Sequence, residues 1–143
     1  MRFKIEDETK KEFPIVDSGF DETGLSWVSI QTKEGIFTGT ARVHPDDLEK
    51  GWYNRLAGQM IAHHRAYIEY FKFRKRLDRN TIKELEHIYC INKPRSIVSK
   101  CIFDRLCELQ SNVDQYIRNI NLFENRIQDK INGLEEYYKA RNK

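Results

Sequence analysis

Two hydrophobic rhythms divide the chain. Up to residue 44, apolar and polar positions alternate in short runs, FKI, FPIV, LSWVSIQT and IFTGTARV, separated by Gly, Asp and Ser. Period-two alternation of aromatic and β-branched residues predicts strands. The two longest runs flank KEG and predict a hairpin, with Gly35 supplying the positive φ of a tight loop. In that hairpin, alternation is expected to turn Trp27 and Phe37 toward helices and Ser26, Gln31 and Thr38 toward water.

Beyond residue 51 the rhythm changes to threes and fours. Ala57, Ile61, His64, Ile68 and Phe71 mark one face of a helix expected over residues 52–79. Thr81 with Glu84 matches a capping box and predicts a second helical start running to about Ile91, where Pro94 interrupts. The last third carries Ile102, Leu106, Leu109, Val113, Tyr116, Ile120, Phe123, Ile127, Ile131, Leu134 and Tyr138, nearly a heptad seam. Ser111 and Asp114 mark a place where it can split. Unbroken from Ser96 to Arg141, it would extend roughly 70 Å, more than a small sheet can cover. Part of the seam therefore requires a second copy of the chain or a folded-back helix. Homo-oligomerisation is the preferred solution, and a hairpin with the 52–79 helix is the alternative for its first half.

The resulting expectation is an α+β chain with a small N-terminal antiparallel β-sheet followed by long α-helices that mediate oligomerisation. At 143 residues it suits a single domain, 1–143, with a sheet portion over 1–44 and a helical portion over 45–143. Hydrophobic residues at 39% and charged residues at 33% fit a folded soluble protein. No apolar run is long enough to span a bilayer, and acids in MRFKIEDETKKEF oppose a secretory leader, so a cytoplasmic setting is expected. Cys90, Cys101 and Cys107 lack the close pairs of structural zinc sites and read as reduced, buried thiols. The net charge of +3 conceals an asymmetry. Residues 1–34 hold five Lys and Arg against eight Asp and Glu, whereas residues 65–105 hold eleven against five. Such clustering attracts phosphate-bearing partners, although a solvated helix face gives the same count.

Candidate chemistry follows from these placements. His44-Pro45-Asp46-Asp47 puts proline and acids where the first turn of a helix favours them, and Gly51 ends that turn; the local pattern is structural rather than catalytic. His63 and His64 point about 100° apart on a helix and cannot share a metal; His64 suits a core or interface position. No phosphate loop, nucleophile elbow or metal-spaced cluster is present, and no cofactor is implied, so a non-enzyme is expected. The stretch EYFKFRKRLDRN supplies cations over residues 72–79 beside Phe71 and Phe73, compatible with nucleic acid. Its structural explanation is a basic helix C-terminus complementing the dipole. A small nucleotide needs guanidinium groups for phosphate, a ring for the base and an amide for a polar edge. Arg65, Tyr89, Asn92, Arg95 and Arg118 supply these types and form the candidate ligand site.

The run GIFTGTARVHPDD, followed by GQMIAHHRAYIEYFK, combines a hairpin F-x-G-x-A, an acidic turn and a helix with R-A and Y-x-K. Over residues 35–75 this resembles the Thoeris anti-defence protein 1 family. The family comprises phage-encoded sponges that sequester cyclic ADP-ribose-type nucleotides without degrading them. The resemblance implies an oligomeric anti-defence protein in the cytoplasm of an infected bacterium, capturing a cyclic nucleotide signal, with Arg65 carried over from the R-A position. The alternative is a non-enzymatic macromolecular interaction protein, an inhibitor of a host machine or a phage DNA-binding accessory factor using the basic stretch.

Overall fold

The computed structural model describes residues 13–51, 54–92 and 97–141. Strands β1 (Ile15–Phe20), β2 (Leu25–Thr32) and β3 (Gly35–Arg42) form an antiparallel meander in the order β1-β2-β3. A short helix α1 (Pro45–Glu49) precedes two long helices, α2 (Arg55–Asn92) and α3 (Ile97–Arg141). The α+β class expected from the two rhythms is what the chain adopts. FPIV enters the sheet only from Ile15, and β1 continues through Asp17, Ser18 and Gly19; FKI lies outside the described residues.

Turn chemistry sets the hairpin registers. Thr32 pairs with Gly35 across Lys33 and Glu34, and Gly35 has φ +127° as expected. The Thr32 hydroxyl donates to the Gly35 carbonyl at 2.8 Å and accepts from the Glu34 amide at 3.2 Å, tying the loop from within. In the β1–β2 turn, the Asp21 carboxylate accepts from the Thr23 hydroxyl and amide and from the Leu25 amide. The Thr23 hydroxyl bond leads the causes that hold this carboxyl below its usual range.

Phe37 turns toward the helices and Gln31 and Thr38 are exposed, as expected, but Trp27 and Ser26 are exchanged. Ser26, Val28 and Ile30 are buried together, and the register places Ala41, Gly39 and Phe37 opposite them. This face meets α2: Phe37 packs edge-on against Tyr70 at 5.5 Å, while a Cβ built on Gly39 would collide with the backbone of Ala62, Arg65 and Ala66. Trp27, expected to share a face with Phe37, lies on the other side, over Gly19. Ser26, expected in water, abuts Gly58, whose missing side chain makes room for it; a Cβ there would sit 2.6 Å from the Ser26 Oγ. Close helix approach at Gly39 sets the phase, and a period of two then carries Ser26 inward with it.

Both helices are continuous where breaks were expected. The Thr81 hydroxyl donates to the Leu77 carbonyl at 3.1 Å, a bond made inside a helix, not at a cap. Without Gly or Pro nearby, nothing forces residue 80 or 81 out of helical geometry. Across Ser111 and Asp114, α3 likewise continues, with Gln110 donating to the Asp114 carboxylate at 3.1 Å. Pro94 lies outside the described residues.

Two compact units emerge, each containing part of α2 and part of α3. In the unit holding the sheet (residues 13–70 and 120–141), Tyr67 stacks on Phe123 at 5.3 Å and 14°, and its hydroxyl accepts from the Phe13 amide at 2.8 Å. Ala62 and Ala66 are fully buried there, with Ile120, Phe123 and Ile127 covered as well. In the unit built on residues 71–119, Ile82, Leu109 and Val113 form the core, with Leu85, Leu106 and Ile117 packed around it. Phe71 and Tyr116 contribute a second buried ring contact. Within each unit, then, α2 of the same chain shelters the α3 seam, the solution considered for its first half alone; a second copy is not what covers these positions. The cysteines differ from expectation too. All three are exposed free thiols; Cys101 and Cys107 are exposed because they sit one residue off the seam positions Ile102 and Leu106.

His64, expected in the core or at an interface, is half-buried at the edge of the core, its ring 5.5 Å from Phe123. Burial, reinforced by the charges of His63, Arg126 and Lys130, pushes its imidazole below the ordinary value of 6.5. The unfolded chain therefore binds a proton more readily, so the contribution of neutral His64 is complete above pH 6.5 and declines as pH falls toward the folded value. Urea midpoints between pH 7.5 and 5 should fall more steeply for the native chain than for His64→Phe; equal slopes would contradict the assignment.

Candidate functional site

The chain between the sheet and α2 is shaped by two caps. His44 closes the N-terminus of α1: its carbonyl accepts from the Leu48 amide at 3.0 Å and its Nδ1 from the Asp46 amide at 3.2 Å. Pro45 stands at the first helical position with Asp46 and Asp47 in the first turn, as the H-P-D-D pattern predicts. Gly51, at φ +75°, reverses the chain. Asn54 then begins α2, its carbonyl accepting from the Gly58 amide and its side-chain Oδ1 from the Ala57 amide at 3.0 Å.

These connections, the end of β3 and the last turns of α3 enclose a recess of roughly 260 Å³ within the sheet-bearing unit. Val43, Ile61, Ile131 and Leu134 give it an apolar floor, while Arg42, His44, Asp47, Asn54, Arg65 and Glu135 line it with polar groups. Arg65 is half-buried, and its Nη1 donates to the Thr40 carbonyl at 2.9 Å. That bond braces the guanidinium over β3 and leaves its other N–H groups for a ligand. Two guanidinium groups above an apolar floor suit a phosphate, with the carboxylates of Asp47 and Glu135 left to accept from hydroxyl groups of the body it is joined to. Because His44 Nδ1 is engaged in capping, only its Nε2 faces other work. Among the described residues, no group of His, Cys, Asp and Glu is arranged to hold a metal ion.

Of the five residues chosen from the sequence, only Arg65 lines this recess. Tyr89 and Arg118 belong to the other unit. Arg118 is exposed, its Nη2 donating to Gln115 Oε1 at 2.6 Å. Its near neighbour Tyr116 packs on Phe71, and half-buried Tyr89 lies about 27 Å farther along α2 at 1.5 Å per residue. Arg118 and Tyr89 therefore do not meet in one chain. Asn92 is the final residue of α2, and Arg95 lies outside the described residues. Arg42 and Asn54 were missed. A polar cap before an apolar helix was a usable signal for Asn54, whereas nothing local marks Glu135, which reaches the recess from the far end of α3.

The basic stretch is placed differently from its structural explanation. The dipole explanation requires a helix C-terminus here, but α2 continues to Asn92 and has no basic residue in its last turn. Phe71 is fully buried against Tyr116, so it offers no stacking surface. Lys72, Lys75, Arg76, Arg79 and Lys83, together with Asn80, line a shallow groove on one side of α2. Among the described residues, no helix is long and apolar enough to cross a membrane. In comparisons with known proteins, no family model, curated protein or solved structure matches the chain.

Proposed function

We propose that the chain captures a small phosphate-bearing nucleotide in the recess beside Arg65 and holds it without changing it. One observation carries this reading: Arg65, the residue transferred from the family motif, lines the same recess as Arg42, Asn54 and His44 over an apolar floor. Charge-assisted bonds from two guanidinium groups would grip phosphate oxygens, and the floor would cover the sugar or base. Pockets that enclose a whole drug-sized ligand run from about 300 Å³ upward, so this recess takes the phosphate end and leaves the remainder at its mouth. A second copy of the chain closing over that mouth is the role that homo-oligomerisation retains.

The ligand class and setting follow the resemblance. A cyclic ADP-ribose-type signal would be sequestered in an infected bacterial cell before it reached a defence effector. Capture rather than turnover is supported by the engagement of His44 in helix capping, which occupies the imidazole nitrogen nearest the acids.

Calorimetry with cyclic ADP-ribose-type nucleotides, linear ADP-ribose and pyrophosphate tests the proposal. Loss of a charged hydrogen-bonding group costs about 1.5–3 kcal/mol, so Arg65→Gln should weaken binding by roughly 10- to 150-fold. Arg42→Gln, which gives up a 3.5 Å contact to Thr23 and the attraction to Asp21, both at the exposed β1–β2 turn, should weaken it while the β2–β3 pairing is kept. Denaturing the complex should release intact nucleotide. Unchanged affinity in both variants would remove the site, and a hydrolysed product would remove capture.

A further inference from the structure

We infer that the exposed basic face of α2, from Lys72 to Lys83, docks the phosphate backbone of a nucleic-acid duplex without reading its bases. Of five cations, Lys72, Arg76, Arg79 and Lys83 recur at steps of four, three and four, and Lys75 lies beside them three residues from Lys72 and four from Arg79, so all stand along one side of the helix. Their ordinary explanation, complementing a helix dipole, fails because the groove lies in the interior of a helix that runs from Arg55 to Asn92. Nor do carboxylates neutralise four of the five: among the described residues, Lys75, Arg76, Arg79 and Lys83 form no ion pair. Four like charges held side by side without compensation repel one another, and a polyanion relieves that repulsion.

Spacing and composition select the occupant. At 1.5 Å per residue the five cations cover about 16 Å, the axial length over which one strand of a duplex presents about five phosphates. A single-stranded partner would call for rings on which bases stack, and no aromatic side chain lines the groove. An anionic membrane would call for an apolar helix face to enter the headgroups; here Ile82 and Leu85 of α2 are committed to the core with Leu109 and Val113, and an isolated exposed Leu77 makes no such face. Lys and Arg without a base-reading element position a backbone and carry no sequence information. This surface is independent of the nucleotide recess, with which it shares no residue.

The test is fluorescence anisotropy of the full chain with a labelled 20-base-pair DNA duplex, repeated with duplex RNA, a single strand of the same sequence and phosphatidylserine vesicles. Five phosphate contacts give a slope of log K against log salt near −4.5, roughly a 500-fold loss between 50 and 200 mM. The combined variant Arg76→Gln, Arg79→Gln, Lys83→Gln should reduce the slope to about −1.8 while helicity by circular dichroism is retained, since glutamine is as good a helix former as the residues replaced. If that variant fails to fold, Arg79→Gln alone should lower the slope by about 0.9. Arg65→Gln should leave duplex binding unchanged, which separates a failure here from a failure of nucleotide capture. No duplex binding at 50 mM salt, an unaltered slope in the variants, or tighter binding to the single strand or to vesicles would each overturn the inference.

Discussion

Gly39→Val should destabilise the chain by about 4 kcal/mol or more, enough to leave much of it unfolded at 37 °C. Local preference points the other way. Valine favours strands over glycine by up to about 1 kcal/mol, and it restricts the unfolded chain as well. The tertiary contact decides the sign. A Cβ at residue 39 would meet the Ala62 carbonyl oxygen and the Ala66 amide nitrogen far inside van der Waals contact, and the Arg65 carbonyl carbon at 2.8 Å. These are backbone atoms of α2, so no rotamer change relieves the clash; the helix must lift from the sheet and break its packing against Ile30 and Phe37. Urea unfolding followed at 222 nm checks this, and Gly35→Val is the control. A Cβ at Gly35 meets nothing within 4 Å, so the cost there comes from φ alone. A Gly39→Val midpoint equal to the native one would mean that α2 does not lie on β3 as described. Since Arg65 is carried over β3 by that same approach, nucleotide capture should be lost with the fold.

Leu109→Ala should cost about 2–5 kcal/mol, the transfer of an isobutyl group plus the cavity left behind. Leu109 is 1% exposed and packs with Ile82 and Val113, two buried residues, ringed by Leu85, Leu106 and Ile117. Collapse of this site is limited because its neighbours come from two helices already in contact. The comparison is Leu122→Ala on the same helix, where the side chain is 41% exposed and the cost should stay within about 0.5 kcal/mol. Chemical denaturation of both variants measures the difference. A loss at Leu109 as small as that expected at Leu122 would place the α3 seam in a different phase from the one observed. The contrast also bears on assembly: a large loss on truncating Leu122 would show that a partner copy buries it.

How much of this was legible depends on the range over which each feature is determined. The β2–β3 hairpin, the H-P-D-D cap and the phase of the α3 seam are set by neighbours within a few residues, and the structure follows them. Gly35 turns the hairpin because its φ demands it, and Ile102 and the seam positions from Leu109 to Ile127 are buried where their spacing marks, with Leu106 partly covered. Breaks were overcalled at Thr81 and Ser111, since a hydroxyl that caps a helix end equally well bonds the preceding turn inside one. Of the recess, Arg65 was visible through its motif, whereas Arg42, Asn54 and Glu135 arrive from β3, the start of α2 and the end of α3. No local pattern ties residues so distant in sequence, and chemistry alone led instead to Tyr89 and Arg118, which lie in the other unit.

By itself, then, the sequence determined where backbone geometry is favourable: strand, turn and cap, and which stripe of α3 must leave water. Tertiary structure alone decided which face of the sheet is the inner one, what shelters the α3 seam and which polar groups share a recess. The physical reason is that each depends on contacts between residues far apart in sequence; in the sheet, a period of two specifies the pattern only up to its phase, and the phase was chosen where two glycines, Gly39 and Gly58, let a helix backbone and a buried serine come closer than any side chain would allow.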